Sequence, residues 1–447
     1  MVHLCKMGKG LQKINFTIGE QGLTHYAGMV LIHSFCKSLD LKRFFQIYIP
    51  LSHRNTYYHS SELLLAHFYF TMAGLARLTN AQLLKHNGLI PAMVGLKHFP
   101  SDQALRRFIK GMTPQDLQLI RKAHQIIRDY LFLHPQTLTT AIADMDSTVL
   151  TVYGHHEKAE VGYNTYKRGR RSYHPLLAFE SHLQMSLSGE LRPGNLSDRS
   201  KGVIPFVGSF LDKIPGTIAA SRTRVRADSG FCSWPMIEFL EGKRVGYVIV
   251  ARVTKPMRAM LPGLRYRVFN HEEQFAVATF IYHPQGWKIP HQFISIRHQL
   301  PPEGQDPDRH LLEVDRFDYH VLVSNLDLHP EFAWHFYSDR ANLENRIKEL
   351  KYDFSLNQIP TRSFLANEVQ MELLLMEYDL FRCFQILCLP PEYQNKTLDT
   401  IRDKILMLPA KLVSSGHSHT LKLPAGTADI KLFNLISENI KKVKALI

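Results

Sequence analysis

Fifteen residues, YSDRANLENRIKELK from Tyr337 to Lys351, constrain this chain more than any other stretch. At 100° per residue on an α-helix, Arg340, Glu344, Lys348 and Lys351 all fall within about 60° of Tyr337. Phe336, Leu343, Ile347 and Leu350 form an adjacent apolar stripe. The spacing therefore predicts a helix with one side in a core and the neighbouring side presenting a lone carboxylate among an aromatic hydroxyl and three cations. That combination suits a metal-binding acid set beside phosphates. A solvated face laced with i,i+4 ion pairs gives the same pattern, so the rest of the chain must separate the two.

A chain of 447 residues is too long for one minimal core and is expected to hold two to four domains. Its 45% apolar and 21% charged residues read as globular, neither disordered nor membrane-embedded. The formal charge of +14 is uneven: Met1 to Pro135 carry 16 Lys and Arg against 6 Asp and Glu, leaving only +4 for the remainder. The N-terminal segment is thus the expected polyanion contact. Five scattered cysteines (Cys5, Cys36, Cys232, Cys383, Cys388) make neither a disulfide framework nor a zinc site, and a reducing cytoplasm is expected. No secretory signal is read at the N-terminus. Residues 63–76 are too short to cross a bilayer, and residues 373–389 are broken by Glu377, Asp379 and Arg382.

From about Ile32 to Leu133 apolar residues recur at helical spacing. Ser101 reads as an N-cap, Leu105, Phe108 and Ile109 as an apolar face and Gly111 as a stop; Thr113, Pro114 and Asp116 then start the next helix. With Arg106, Arg107 and Lys110 on the first helix, the pair is either a DNA-reading helix-turn-helix or a plain αα-hairpin. At Thr139 the pattern changes to a strand, TTAIADMDSTVLTVYG, which sets Ile142, Asp144, Asp146 and Thr148 on one face. The stretch KRGRRSYHPLLAF follows, with the densest basic cluster of the chain, Lys167, Arg168, Arg170 and Arg171. A glycine inside it allows close approach to a phosphate. TRVRADSGF predicts a strand ending at Asp228, then a turn and a helix from about Ser233. Between Asp228 and Glu344 lie 115 residues rich in short strands (GYVIVARV, RYRVF, QFAVATFIYH, KIPHQFISIRHQL, YHVLVSNL), interrupted by a loop at PPEGQDPDRH. A long helix is expected over Asn367–Leu387, and SSGHSHTLKLPAG reads as a basic loop in the tail.

Three separated acids, Asp146, Asp228 and Glu344, suit two divalent cations held roughly 4 Å apart. Carboxylates match hard ions such as Mg²⁺ and Mn²⁺, whereas the 24 dispersed histidines give no zinc pattern. Asp144 shares the strand face of Asp146 and is an alternative or auxiliary ligand.

These residues resemble bacterial insertion-sequence transposases of the DDE type, in the group marked by a Tyr-x2-Arg-x3-Glu-x6-Lys signature. Tyr337, Arg340, Glu344 and Lys351 match that spacing, DMDST matches the first-acid motif at Asp146, and ADSGF the second at Asp228. GYN, KRG, SYHPL and LRPGN look like further motifs of one subgroup, and the resemblance runs in order over roughly residues 30–440. It implies an α/β fold: a ribonuclease H-like mixed sheet flanked by helices and interrupted by a β-rich insertion, with a helical N-terminal domain and a helical C-terminal tail. The expected division is a basic DNA-binding region (1–135), the first part of the core (136–250), the insertion (251–330), the second part with the Glu helix (331–375) and a helical C-terminal region (376–447).

The implied reaction is cleavage at terminal inverted repeats, dependent on two Mg²⁺ or Mn²⁺ ions, and transfer of the freed 3′-hydroxyl into target DNA. Asp146, Asp228 and Glu344 would be catalytic metal ligands, and Tyr337, Arg340, Lys348 and Lys351, with the basic cluster, would contact DNA. A homodimer pairing two DNA ends, without a membrane partner, in the bacterial cytoplasm and associated with the nucleoid, is the corresponding expectation. Trp287 is the candidate for stacking on a flipped base, with simple packing as the other reading. The competing functions are a two-metal nuclease that does not join and a DNA-binding relative, inactive or domesticated.

Overall fold

The computed structural model describes residues 22–51, 57–87, 90–91, 95–133, 138–164, 167–196, 202–270, 275–299, 317–415, 418–424, 426 and 429–446. Its centre is a nine-stranded mixed sheet. In chain order the strands are β1 (Ala141–Ser147), β2 (Leu176–Glu180), β3 (Met185–Glu190), β4 (Thr223–Ala227), β5 (Gly246–Val250), β6 (Arg267–Asn270), β7 (Phe275–Tyr282), β8 (His291–Gln299) and β9 (Phe317–Ser324). Across the sheet they run β6-β7-β8-β9-β5-β4-β1-β2-β3. Strands β1, β4 and β5 are parallel neighbours, and every other pairing is antiparallel. The parallel strand β5, GYVIV, is an unbroken apolar run because both of its faces are covered.

All five strand segments expected between the second acid and the Glu helix form. They do not make a separate sheet: β9 pairs along β5 (Leu322 opposite Val250, Ser324 opposite Val248), so β6–β9 extend the central sheet at its edge. PPEGQDPDRH lies outside the described residues.

The helices used below are α1 (Met29–Ser38), α2 (Leu41–Tyr48), α3 (Ser60–Met72), α4 (Asp102–Lys110), α5 (Pro114–Leu133), α6 (Val203–Leu211), α7 (Trp234–Gly242), α8 (Pro330–Ser338), α9 (Ala341–Tyr352), α10 (Phe364–Cys388) and α11 (Ile430–Lys442). The caps read from sequence between α4 and α5 are present. Ser101 accepts from the Ala104 N–H at 3.2 Å, Gly111 follows α4, and Thr113 and Asp116 bond reciprocally at the head of α5. Leu105, Phe108 and Ile109 are buried, and both helices pack on α10. Arg106 is turned inward, donating to the Pro360 carbonyl, while Arg107 and Lys110 stay exposed.

One apolar cluster joins α1–α7, both faces of the central sheet, α9, α10 and α11. A second, smaller one lies between β5, β7, β8, β9 and α8. The tail segment expected as a basic loop is largely a hairpin, Ala410–Ser415 with Ser418–Lys422, whose first strand also pairs with Leu23–Thr24. No helix among the described residues is long and apolar enough to cross a membrane.

Candidate active site

The parallel pairing of β1 with β4 creates the site. Ala143 lies opposite Val225 and Asp144 opposite Arg226; carried on by two residues, the same register brings Asp146 abreast of Asp228, just past the end of β4. Alternation then places Asp144 and Asp146 on one face, with Arg226 and Asp228 beside them. The first pair is an ion pair. Arg226 is buried and holds both Asp144 oxygens, Nε to Oδ1 at 2.5 Å and Nη2 to Oδ2 at 2.7 Å. Asp144 thus has a fixed partner of its own, and Asp146 is the acid that faces Asp228. Sequence reading missed Arg226. Its signal was the matched order of the strands, acid two before acid in β1 and arginine two before acid in β4.

The single helix expected over 337–351 is two helices. Tyr337 lies in the last turn of α8, and α9 begins at Ala341. In a continuous helix the Phe336 carbonyl would accept from the Arg340 N–H. Arg226 donates to that carbonyl instead, and the Arg340 N–H turns to Tyr337 O at 2.9 Å. Ser338 adds a bond back to Trp334 O at 2.9 Å, which favours bending. The break lets Arg340 reach β1, where Nη2 meets the Asp146 carboxylate at 2.8 Å and Met145 O at 3.1 Å. At the other end of α9, Lys351 donates to Thr148 Oγ1 and Val149 O, both at 3.3 Å.

Asp146, Asp228, Tyr337 and Arg340 therefore form one interacting group. Glu344 is not drawn into it. Its side chain is exposed in the first turn of α9, one turn beyond Arg340 and two turns before Lys351 on the face that those two residues tie to β1 and to the residues just after it. Lys348 is exposed on the same helix. Among the described residues no three His, Cys, Asp or Glu side chains gather closely enough to hold a metal ion.

The electrostatics ask for positive charge. Burial pushes the Asp146 carboxyl up to about 6; Arg340 opposes this, and the neighbouring Asp228 adds to it. Two hard oxygen donors held together at one buried place fit a divalent cation. Burial also raises the Tyr337 hydroxyl and lowers the Lys351 ammonium.

The basic cluster sits on a small antiparallel sheet of Leu150–Thr151, Arg171–Tyr173 and Glu160–Val161. Lys167, Arg168, Arg170 and Arg171 are all exposed there, with Gly169 at φ 74°, a left-handed conformation suited to glycine. Asn164 fixes the turn, accepting from the Lys167 N–H at 2.9 Å and donating to Thr151 at 3.1 Å. The glycines of GYN and LRPGN explain each other. A Cβ at Gly162 would lie 1.8 Å from Gly194 O, so only glycine permits the approach. Trp287 is half-buried in the β7–β8 turn, with ring centroids 5.8 Å from Trp234 and 5.1 Å from His291, an arrangement that matches packing.

A family model described as transposase DDE domain group 1 matches residues 9–445. The chain belongs to this family of DDE transposases. A cryo-EM structure of a piggyBac transposase synaptic complex with hairpin DNA is similar to this transposase over 81% of its chain and 77% of that one, at 12% identity and a TM-score of 0.42. No curated protein sequence matches.

Proposed function

We propose that this DDE transposase serves a bacterial insertion sequence, cutting DNA at terminal inverted repeats and joining the freed 3′-hydroxyl to target DNA. The observation that carries this reading is the juxtaposition of Asp146 and Asp228 at the ends of two parallel strands, with Tyr337 and Arg340 against them. The core order β3-β2-β1-β4-β5, with β1, β4 and β5 parallel and β2 and β3 antiparallel, supports a ribonuclease H-like core. The Tyr-Arg-Glu-Lys signature supports the assignment of Glu344 as the third acid.

Asp146, Asp228 and Glu344 would hold Mg²⁺ or Mn²⁺, two ions per site, which when bound supply an activated water or 3′-hydroxyl and a stabilised leaving oxygen. For Glu344 this requires its exposed carboxylate to turn toward β1, on the helix face where it already lies. Arg340 and Lys351 neutralise and orient phosphate oxygens, and Tyr337 offers a hydroxyl donor beside them. The exposed Lys167, Arg168, Arg170, Arg171 and Lys348 take the DNA backbone outside the site. The basic N-terminal helices bind the ends, two copies pair them, and the protein works at the nucleoid.

The test is cleavage and joining of labelled duplexes carrying the DNA that flanks this gene, with Mn²⁺, Mg²⁺ or EDTA. Wild type should cut and join only with metal, and Asp146→Asn, Asp228→Asn and Glu344→Gln should bind DNA without cutting. Cutting without joined products would identify a nuclease, and full cleavage by Glu344→Gln would remove Glu344 from the site.

A further inference from the structure

We propose that Arg226 is a positioning residue that breaks the helix before Glu344 and so sets both ends of the active site; this rests on the function proposed above. Four groups meet at its guanidinium. Nε and Nη2 hold Asp144, Nη2 also reaches Ser181 Oγ at 2.8 Å, Nη1 takes the Phe336 carbonyl, and the guanidinium carbon stands 4.9 Å from the centre of the Phe336 ring. One buried side chain thereby links β4, β1, the turn after β2 and the last turn of α8.

The geometry of that last contact is what matters. In a continuous α8–α9 helix the Arg340 N–H would bond the Phe336 carbonyl, which here accepts from Arg226. The chain tightens instead: Arg340 N–H bonds Tyr337 O at 2.9 Å, Asn342 N–H bonds Asp339 O at 3.2 Å and Leu343 N–H bonds Arg340 O at 2.8 Å, all three-residue bonds. This turn carries Arg340 onto Asp146 and starts α9 one turn ahead of Glu344. Asp144 is the counter-charge that holds Arg226 while it does so. Of the two acids on β1, Asp146 faces Asp228 and Asp144 supports the arginine that shapes the site.

Lysine cannot replace this arginine, because a single ammonium cannot hold a carboxylate at two points and a carbonyl on another element at once. A purely structural ion pair behaves differently, since replacing both buried charges with apolar groups of similar volume is often neutral for stability. The experiment therefore uses Arg226→Lys and the double variant Asp144→Leu/Arg226→Met in the full chain. Unfolding midpoint and single-turnover cleavage are measured for each, together with the ¹⁹F resonance of a fluorotyrosine placed at position 337, without DNA or metal.

Both variants are expected to lose cleavage by about 10²-fold, the cost of misplacing reacting groups by about 1 Å. The double variant should unfold at the wild-type temperature and still not cut, and the ¹⁹F resonance should move in both. Wild-type cleavage by the double variant, or a resonance unmoved in both, would overturn the proposal. If the wild type itself cuts no DNA, the function proposed above fails, and the ¹⁹F shift still decides whether Arg226 positions Tyr337.

Discussion

At the scale of single residues the site is a problem of buried charge. Asp146 is raised to about 6 chiefly by burial, and Arg340, 2.8 Å away, is the cation that keeps it from rising further. A metal must meet the ionised carboxylate, so protonation competes with loading. The sign follows directly: above about 6 the carboxylate is free of protons and affinity is flat, and below it the affinity of the DNA-free protein for Mn²⁺ should fall by up to about tenfold per pH unit. Arg340→Gln removes the opposing cation, so the inflection should move to higher pH. Mn²⁺ titrations followed by electron paramagnetic resonance between about pH 5 and 8 would read both inflections. A profile unchanged by Arg340→Gln would mean that the 2.8 Å pair does not set the Asp146 proton affinity.

At the scale of elements, the turn at 167–170 is a small device for presenting charge. Asn164 ties its base, Gly169 supplies the left-handed residue, and the close contact of Gly162 with Gly194 holds the small sheet against the chain after β3. Each cation placed on a phosphate releases counterions, so the slope of log affinity against log salt should shrink by about 0.9 for every phosphate that is no longer neutralised. Lys167→Ser/Arg168→Ser/Arg170→Ser should therefore bind duplex DNA more weakly and with a shallower slope, measured by fluorescence anisotropy; an unchanged slope would place this turn away from the DNA. Such elements were legible in sequence because their signals are local. The strands between Gly246 and Leu326 announced themselves as short runs rich in β-branched and aromatic residues, and α4 and α5 by their caps. The α8–α9 break was not legible, because Tyr337 to Lys351 has unbroken helical periodicity and the cause is a guanidinium more than a hundred residues earlier. The same holds for Asp144, whose partner appears only once β1 and β4 are set side by side.

At the scale of the whole molecule, the N-terminal helices are joined to the sheet by buried charge as well as by apolar packing. His124 of α5 lies between Glu372 and Asp379 of α10, at 2.7 Å from each, and Arg128 donates to Ser186 O on β3 at 2.7 Å. Asp379 also accepts from the N–H and the hydroxyl of Ser186, and His67 of α3 meets Glu377 at 2.6 Å. In sequence, the charges of α10 served only to argue against a membrane span. Their role needed the tertiary partners, since a buried acid and a solvated one look alike in a helical pattern. Burial would raise the Glu372 carboxyl, but the hydrogen bond and charge of His124, with Arg128 and Lys213, outweigh it and hold the group at about 2. A folded-state value depressed below the ordinary 4.5 contributes stability that is complete above about 4.5 and lost as pH falls toward 2. The depression corresponds to roughly 3 kcal/mol for this nearly inaccessible side chain. Glu372→Gln should thus be destabilised by roughly 3 kcal/mol at neutral pH, where His124 and Arg128 lose one of their two carboxylate partners and keep Asp379. It should lose less further stability than the wild type on going from pH 5 to pH 3, roughly the window in which this carboxylate takes up its proton in the unfolded chain but not in the folded one. By contrast Glu368→Gln, which removes the partly exposed partner of Arg121, should cost no more than about 1 kcal/mol. Urea unfolding at the two pH values would separate these variants, and parallel acid profiles for wild type and Glu372→Gln would show that this seam does not couple the N-terminal helices to the sheet through charge.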